Sequence, residues 1–123
     1  MPSTTTGRSF IALRRGDVVL VPFPYAELTT TKTRPALIVS GQVFASAERR
    51  ITIAAITSNV AAHRNPTSYE LPDWTAVGLK KPSVVTAWLA TISPQLVQFK
   101  VGRLKARDLR EVEKRLRIAL ERA

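Results

Sequence analysis

The chain has 123 residues, 45% of them hydrophobic, which suits one globular domain that buries roughly two-thirds of its unfolded surface. It has no cysteine and a single histidine, His63. This composition excludes thiolate nucleophiles, Cys-ligated zinc, disulfides and paired imidazoles. Nineteen Lys and Arg against nine Asp and Glu give a net charge of +10, which favours a polyanionic partner: nucleic acid, an acidic protein segment or an anionic membrane surface.

The start of the chain predicts a flexible extension over residues 1–13 and one domain over residues 14–123. The first residues lack the apolar stretch of a secretory signal. The longest apolar runs are far shorter than the about 20 residues that a transmembrane helix needs. We therefore expect a cytoplasmic protein that does not associate with membranes.

Short β-branched runs bounded by proline-containing turns predict about six strands and favour a small barrel or sandwich. Pro22 and Pro24 are expected to end pairing after the first strand, Pro35 is expected to open the second, and residues 29–33 to form a polar loop. The predicted strands are Asp17–Val21, Pro35–Ser40, Ile51–Ile56, Ser68–Leu71, Ser83–Val85 and Gln95–Val97.

The last segment has helical periodicity and predicts a helix over Ala106–Arg122 that packs an apolar stripe on the sheet. Lys105 stands where a capping side chain is usual, so the helix start is weakly capped. The stripe consists of Leu109, Val112, Leu116, Ala119 and Leu120. Two pairs, Glu111–Arg115 and Glu113–Arg117, have the spacing and order of favourable ion pairs on a helix.

Several segments, in this order, resemble the PemK/MazF family of toxin endoribonucleases, and the resemblance covers about residues 14–120. Residues 15–24 read RGDVVLVPFP, residues 33–40 read TRPALIVS, and residues 56–59 read ITSN. Residues 71–74 (LPDW), 78–85 (GLKKPSVV) and 102–104 (GRL) resemble one branch of that family.

This resemblance implies a mainly β fold: a small SH3-like barrel of the MazF/PemK/CcdB type with a C-terminal helix, usually in a homodimer. It implies cleavage of single-stranded RNA at short sequences, without metal or cofactor, by attack of a ribose 2′-OH on the adjacent phosphate. The family's catalytic arginine corresponds to Arg34 and its catalytic threonine to Thr57. A cognate antitoxin is implied as well, and the +10 charge predicts that its binding segment is acidic and disordered when free.

The sequence departs from the family at its acidic residues. Many members carry a glutamate in the first loop, where residues 29–33 here read TTTKT. The acidic residue of this branch comes earlier, at Glu27. It is the only carboxylate between Val18 and Val43, which makes it the one candidate general base near Arg34; the alternative is a solvated acidic residue of the loop. Other members have a catalytic arginine and aspartate after a Val-Val pair, whereas this chain has Thr86, Ala87 and Trp88 there.

The chemistry of the two matched residues suits phosphate-ester cleavage. Arg34 offers a planar, permanently charged fork that binds two phosphate oxygens. Because a guanidinium keeps its proton at neutral pH, it is a poor base, so the expected role of Arg34 is to stabilise charge. Thr57 can donate a hydrogen bond to a phosphate or orient the 2′-OH. The expected RNA-binding residues are Thr31, Lys32, Thr33, Ser58, Asn59, Lys80 and Lys81.

Two other readings compete with the nuclease. One is a non-catalytic nucleic-acid-binding barrel, and the other is a CcdB-like toxin that inhibits a protein target such as gyrase. The presence of Arg34 and Thr57 favours the nuclease, because a gyrase inhibitor needs neither. His63 is expected to be a solvated surface residue, and Trp88 to lie in the core or a dimer interface. For Trp74 the sequence does not choose between core packing and base stacking.

Overall fold

The computed structural model describes residues 13–23 and 32–121; in it, six strands form one curled antiparallel sheet. The strand order is β4-β5-β3-β2-β1-β6. The strands are β1 (Asp17–Phe23), β2 (Lys32–Ile38), β3 (Ile51–Thr57), β4 (Tyr69–Glu70), β5 (Val84–Ile92) and β6 (Phe99–Arg103). The predicted mainly β class is confirmed.

In the described part of the chain, three helices accompany the sheet: α1 (Gln42–Glu48), α2 (Trp74–Val77) and α3 (Ala106–Ala119). The predicted C-terminal helix is confirmed as α3, whereas the sequence analysis did not predict α1 and α2. Single 3-10 turns form at Ala61–His63 and Pro94–Leu96. Within the described ranges, no helix is long and apolar enough to cross a membrane.

The alternation of side chains along the strands builds two apolar clusters. Strand β3 shows this division, since Ala54 and Ile56 belong to one cluster and Ile51 and Ile53 to the other. Helix α3 covers the first cluster through Leu109, Val112 and Leu116. The second cluster includes Val19, Val21, Ala36 and Ile38 from the two neighbouring strands.

The curl of the sheet brings its two edges towards each other through α2. This helix follows edge strand β4 and contacts edge strand β6. The approach is so close that a Cβ at Gly102 would lie 1.9 Å from the carbonyl oxygen of Val77. Only glycine fits at this position, because any side chain would push α2 away from β6.

A buried carboxylate fastens β1 to β6. Asp17 is fully buried and accepts a hydrogen bond of 2.7 Å from the Arg14 backbone N–H. The Arg103 guanidinium lies 2.8 Å from its Oδ1 and the Lys100 ammonium 3.4 Å. A buried charge is tolerated only when it is paired and hydrogen-bonded, and Asp17 meets both conditions.

Two prolines lie inside strands, contrary to the sequence analysis. Strand β1 continues through Pro22 to Phe23, and β2 begins at Lys32 rather than at Pro35, so Lys32 and Thr33 belong to a strand and not to a loop. Pairing with β6 ends at Leu20, and pairing of β2 with β3 begins at Ala36. Each proline therefore has a paired neighbouring strand on one side only. The other side has no partner at that position, so the absence of a proline N–H there removes no hydrogen bond from the sheet.

The predicted strand at Gln95–Val97 is wrong. Pro94 fixes φ at the start of a 3-10 turn over Pro94–Leu96, and the hydroxyl of Ser93 accepts a hydrogen bond from the Gln95 N–H. The sixth strand follows this turn, at Phe99–Arg103. The predicted strand at Ser83–Val85 is only the beginning of β5, which extends over nine residues.

Helix α3 ends at Ala119, before the predicted Arg122. Its apolar stripe packs only as far as Leu116, and Leu120 is 60% exposed, so burial does not support the last turn. The Glu111–Arg115 pair forms, but Glu113 pairs with Arg15, in the turn before β1, rather than with Arg117. As expected, no side chain caps the helix at Lys105.

Candidate functional site

A groove of about 430 Å³ opens where β2 begins and β3 ends. We call it the strand-end groove. Its polar wall is formed by Arg34, Thr57, Ser58, Lys80, Lys81 and Ser83, and its apolar wall includes Leu20, Pro35, Ile56, Leu79, Phe99 and Val101. The groove thus combines cations and hydroxyls with an apolar surface.

Arg34 and Thr57 line the groove from two neighbouring strands, β2 and β3. Pairing between these strands stops at Ala36 and Ala55, so both residues lie just beyond the paired segment, at the end of the sheet where the groove opens. Arg34 is exposed and forms no ion pair with any carboxylate in the described part of the chain.

The hydroxyl of Thr57 accepts one hydrogen bond within the protein, and its own proton is not used by that bond. Its Oγ1 accepts a hydrogen bond of 3.1 Å from the backbone N–H of Asn59. A threonine hydroxyl has a single donor proton, and this bond leaves that proton available to a ligand. The same turn presents Ser58, which is exposed, to the groove.

The two groove lysines are held by a tightly bonded loop after α2. Gly78 ends α2 at φ 106°, a conformation that favours glycine, and its N–H bonds to the carbonyl oxygen of Thr75 at 3.0 Å. Ser83 donates a hydrogen bond of 2.8 Å to the carbonyl oxygen of Lys81. These bonds order the backbone that carries Lys80 and Lys81, which both line the groove.

Phe99 is the functional candidate that the sequence analysis missed. Its ring is 61% exposed although it is apolar, and it lines the groove together with Val101 of the same strand. The available signal was the alternation Phe99, Lys100, Val101, which is typical of a half-buried strand. Placing the strand at Gln95–Val97 hid that alternation.

The groove is positively charged. Three of its described lining residues are cationic, namely Arg34, Lys80 and Lys81, and none is acidic. Such a site attracts anions, and Arg34 can bind phosphate oxygens in a bidentate manner. The exposed ring of Phe99 adds a surface on which a flat base can stack.

Some of the predicted site residues lie elsewhere. Thr33 donates its hydroxyl to Oε1 of Gln98 at 3.0 Å and, like Lys32 and Asn59, does not line the groove. Glu27 and Thr31 lie outside the described residues.

Trp88 is not in the core, contrary to one of the two predicted placements, because it is 58% exposed. A bulge in β5 opposite Ala55 turns it outward, and the Thr86 hydroxyl stabilises the bulge by donating to the Ala55 carbonyl at 2.8 Å. The His63 ring meets Trp88 edge-on with the ring centroids 5.0 Å apart. Trp74, by contrast, packs against the first apolar cluster.

A second buried polar contact joins the sheet to α3 and lies apart from the groove. The Tyr69 hydroxyl donates to Oδ1 of Asp108 at 2.7 Å. Burial of the phenol and the hydrogen bond to Asp108 raise the pKa of Tyr69 to about 12. Tyr69 therefore stays protonated at neutral pH and acts as a hydrogen-bond donor.

Comparisons with known proteins point in one direction. The profile of the family described as PemK-like, MazF-like toxin of type II toxin-antitoxin system matches residues 14–120. Among curated proteins, none matches the chain. Solved structures with a similar fold include the following three, at identities that establish the fold alone.

The first is the Mycobacterium tuberculosis toxin MazF-mt6, with a TM-score of 0.71, 22% identity and coverage of 87% of this chain and 98% of that one. The second is an endoribonuclease in complex with its cognate antitoxin from Mycobacterial species, with a TM-score of 0.73, 18% identity and coverage of 89% and 96%. The third is MazE-MazF (Form-II) from Deinococcus radiodurans, with a TM-score of 0.69, 21% identity and coverage of 92% and 99%.

Proposed function

The chain belongs to the PemK-like, MazF-like toxin family of type II toxin–antitoxin systems, and from this membership we propose that it is an endoribonuclease that cleaves single-stranded RNA in the cytoplasm. The observation that carries the proposal is the strand-end groove, in which Arg34 and Thr57 lie on adjacent strands beside two lysines and an exposed aromatic ring. The fold neighbours include structures described as endoribonucleases.

The proposed reaction uses the ribose 2′-OH as nucleophile. The 2′ oxygen attacks the adjacent phosphorus, the bond from phosphorus to the 5′ oxygen breaks, and the products carry a 2′,3′-cyclic phosphate and a 5′-OH. The proton leaves the 2′-OH for a base, and the 5′ oxygen gains one. No water enters this step, so the protein has to align the nucleophile, stabilise charge and move two protons.

Arg34 serves as the charge stabiliser in this proposal. Its guanidinium has no carboxylate partner among the described residues, so it is free to bind two non-bridging phosphate oxygens. Negative charge increases on these oxygens in the transition state, and a preorganised cation opposite them lowers the barrier. A guanidinium is too basic to accept the 2′ proton at neutral pH.

Thr57 and Phe99 position the substrate. The free hydroxyl proton of Thr57 donates to a phosphate oxygen or to the 2′ oxygen, because the Asn59 N–H already occupies one of its acceptor sites. Phe99 offers its exposed face to a base next to the scissile phosphate. Lys80 and Lys81 contact neighbouring phosphates at the groove entrance.

Glu27 remains the candidate general base, since none of the described residues that line the groove is a carboxylate or an imidazole. If it takes the 2′ proton, the cleavage rate rises with pH through an apparent pKa somewhat above ~4.3 and then levels off. The Glu27→Gln variant tests this role: an unchanged rate and pH profile would remove Glu27 from the mechanism.

We also propose that the toxin is a homodimer inhibited by its cognate antitoxin. One solved fold neighbour is described as an endoribonuclease in complex with its cognate antitoxin, and another as MazE-MazF. The net charge of +10 favours an acidic antitoxin segment that is disordered when free. Binding of that segment at the cationic groove would exclude RNA.

The deciding experiment incubates purified protein with single-stranded RNA in EDTA and identifies the ends of the fragments. The proposal expects cleavage with cyclic phosphate ends, and it expects Arg34→Ala to lower the rate by about 10²–10³, the scale of losing one preorganised donor. Arg34→Lys restores activity only in part, since the fork is lost. RNA binding without cleavage would favour a non-catalytic barrel, and inhibition of gyrase without RNA cleavage would favour the CcdB-like alternative.

A further inference from the structure

A second cavity, which we call the distal cavity, lies at the end of the sheet opposite the groove. It has a volume of about 400 Å³. Strand β3 runs from Ile51, in the distal cavity, to Thr57, in the groove, so the two sites lie about 20 Å apart. The wall of the distal cavity includes Leu13, Ile51, Pro94, Gln95, Arg49 and Arg50.

Arg49 occupies a position that normally belongs to glycine. It ends α1 in the left-handed conformation at φ 58°, and its N–H bonds to the carbonyl oxygen of Ala45. Glycine is the usual residue there because it has no Cβ penalty. Backbone strain at a non-glycine residue clusters at functional sites, and here it places a guanidinium at the cavity.

The two arginines are available to an anion. The guanidinium of Arg50 donates to the Arg49 carbonyl at 3.1 Å, which fixes its direction and leaves its other N–H groups unused. Neither arginine pairs with a carboxylate among the described residues, and the described lining of the cavity contains no acidic residue.

The remaining wall decides which anion fits. Among the described residues, it contains aliphatic side chains and the amides of Gln42 and Gln95 but no aromatic ring, so these residues offer no stacking surface of the kind that a nucleic-acid base requires. Aliphatic side chains flanked by guanidinium groups complement a protein segment in which carboxylates alternate with aliphatic residues. We propose that the distal cavity binds such an acidic, aliphatic segment of the antitoxin, as a second contact separate from the groove.

This inference rests on the proposed function only for the identity of the partner, and its test does not require RNA cleavage. The probe is a fluorescent octapeptide of alternating Glu and Leu with blocked ends, titrated with the full chain and followed by anisotropy. We expect saturable binding that weakens with added salt. A peptide in which every Glu is replaced by Gln should not bind. A single-stranded oligonucleotide should not bind at this cavity either.

Two variants separate loss of the site from loss of the fold. Arg49→Gly removes the cation but relieves the left-handed strain, so it should weaken peptide binding about tenfold while the melting temperature stays the same or rises. Arg50→Ala should weaken binding similarly. The matched control is Arg110→Ala on α3, an exposed arginine that lines neither cavity, and it should bind the peptide normally.

Four outcomes would overturn the inference: no peptide binding, equal binding by Arg49→Gly, a shift in oligomeric state in place of a binding defect, or loss of oligonucleotide binding in the same variants. RNA cleavage by Arg49→Gly should equal that of the unmodified protein. If neither the unmodified protein nor its variants cleave RNA but the peptide binds as expected, the endoribonuclease proposal fails and the inference about the distal cavity is retained.

Discussion

At the scale of single residues, the proposed mechanism gives Arg34 and Thr57 different tasks. Arg34 carries a charge that does not change at any physiological pH, so it can act only by attraction and alignment. Thr57 carries no charge, and its role depends on one proton whose direction is set by the bond that its oxygen accepts from Asn59. Substitutions that keep shape and change donors therefore distinguish the two contributions.

Thr57→Ser should retain most of the cleavage activity, because it keeps the donor. Thr57→Val keeps the shape and loses the donor, so it should reduce kcat about 10–100-fold, the range expected for one hydrogen bond to a charged group. The measurement is single-turnover cleavage of a short RNA. Equal rates for the valine variant and the unmodified protein would mean that Thr57 is only part of strand β3 and has no role in catalysis.

The contact between Tyr69 and Asp108 makes a prediction about stability. Asp108 is buried and accepts the Tyr69 hydroxyl at 2.7 Å. Removing that donor in Tyr69→Phe leaves a buried carboxylate with one bond fewer, so the free energy of unfolding should fall by about 1–3 kcal/mol. Urea titration at neutral pH measures the change, and a loss smaller than about 0.5 kcal/mol would mean that water replaces the phenol.

The same contact predicts an alkaline transition. Because the pKa of Tyr69 is raised from 10.0 to about 12 in the folded state, its contribution to stability is complete below pH 10 and is lost as the pH rises towards 12. The stability of the unmodified protein should therefore fall across this window. The stability of Tyr69→Phe should fall less, and parallel curves for the two proteins would contradict the assignment.

At the scale of elements, the contact between α2 and β6 closes the sheet and carries one wall of the groove. Helix α2 leads directly into the loop of Lys80 and Lys81, while β6 carries Phe99 and Val101. A change in their separation should therefore alter both stability and RNA binding.

Gly102→Ala tests this contact. The added Cβ would lie 1.9 Å from the Val77 carbonyl oxygen, so the elements must separate, and overpacking of this kind costs about 1–3 kcal/mol. We also expect weaker RNA binding. The control is Gly41→Ala, because a Cβ there meets nothing within 4 Å and the backbone has an ordinary φ of −105°. Similar melting temperatures for the two variants would refute the close-approach argument.

At the scale of the whole molecule, net charge determines how the protein would approach the proposed RNA substrate. A net charge of +10 attracts any nucleic acid without regard to sequence, whereas the three groove cations act locally. Salt dependence separates the two effects, because each phosphate contact with a single strand adds about 0.7 to the slope of log K against log salt.

Lys80→Ala and Lys81→Ala should each reduce that slope by about 0.7 for a non-cleavable oligonucleotide. The matched control, Arg110→Ala, changes the net charge equally but lies outside the groove, and its slope should stay that of the unmodified protein. If all three variants change the slope alike, binding follows net charge and the lysines have no special position.

The sequence by itself determined the β class and the C-terminal helix, and its motifs singled out Arg34 and Thr57, which both line the groove. These features are local in origin: β-branched runs, helical periodicity and short motifs are each visible within a few residues. For the same reason Lys80 and Lys81 were accessible as candidates, and both line the groove.

Only the tertiary structure decided which candidates share a site. Phe99 joins the groove because β6 pairs with β1, whereas Asn59, next to Ser58 in the sequence, does not line it. Pro22 and Pro35 remain within strands because each has one neighbouring strand, a fact of sheet order that no local pattern contains. The distal cavity likewise brings together residues 13, 49–51 and 94–95. Contacts between segments far apart in the chain depend on how the sheet curls, and local sequence does not encode that geometry in a readable form.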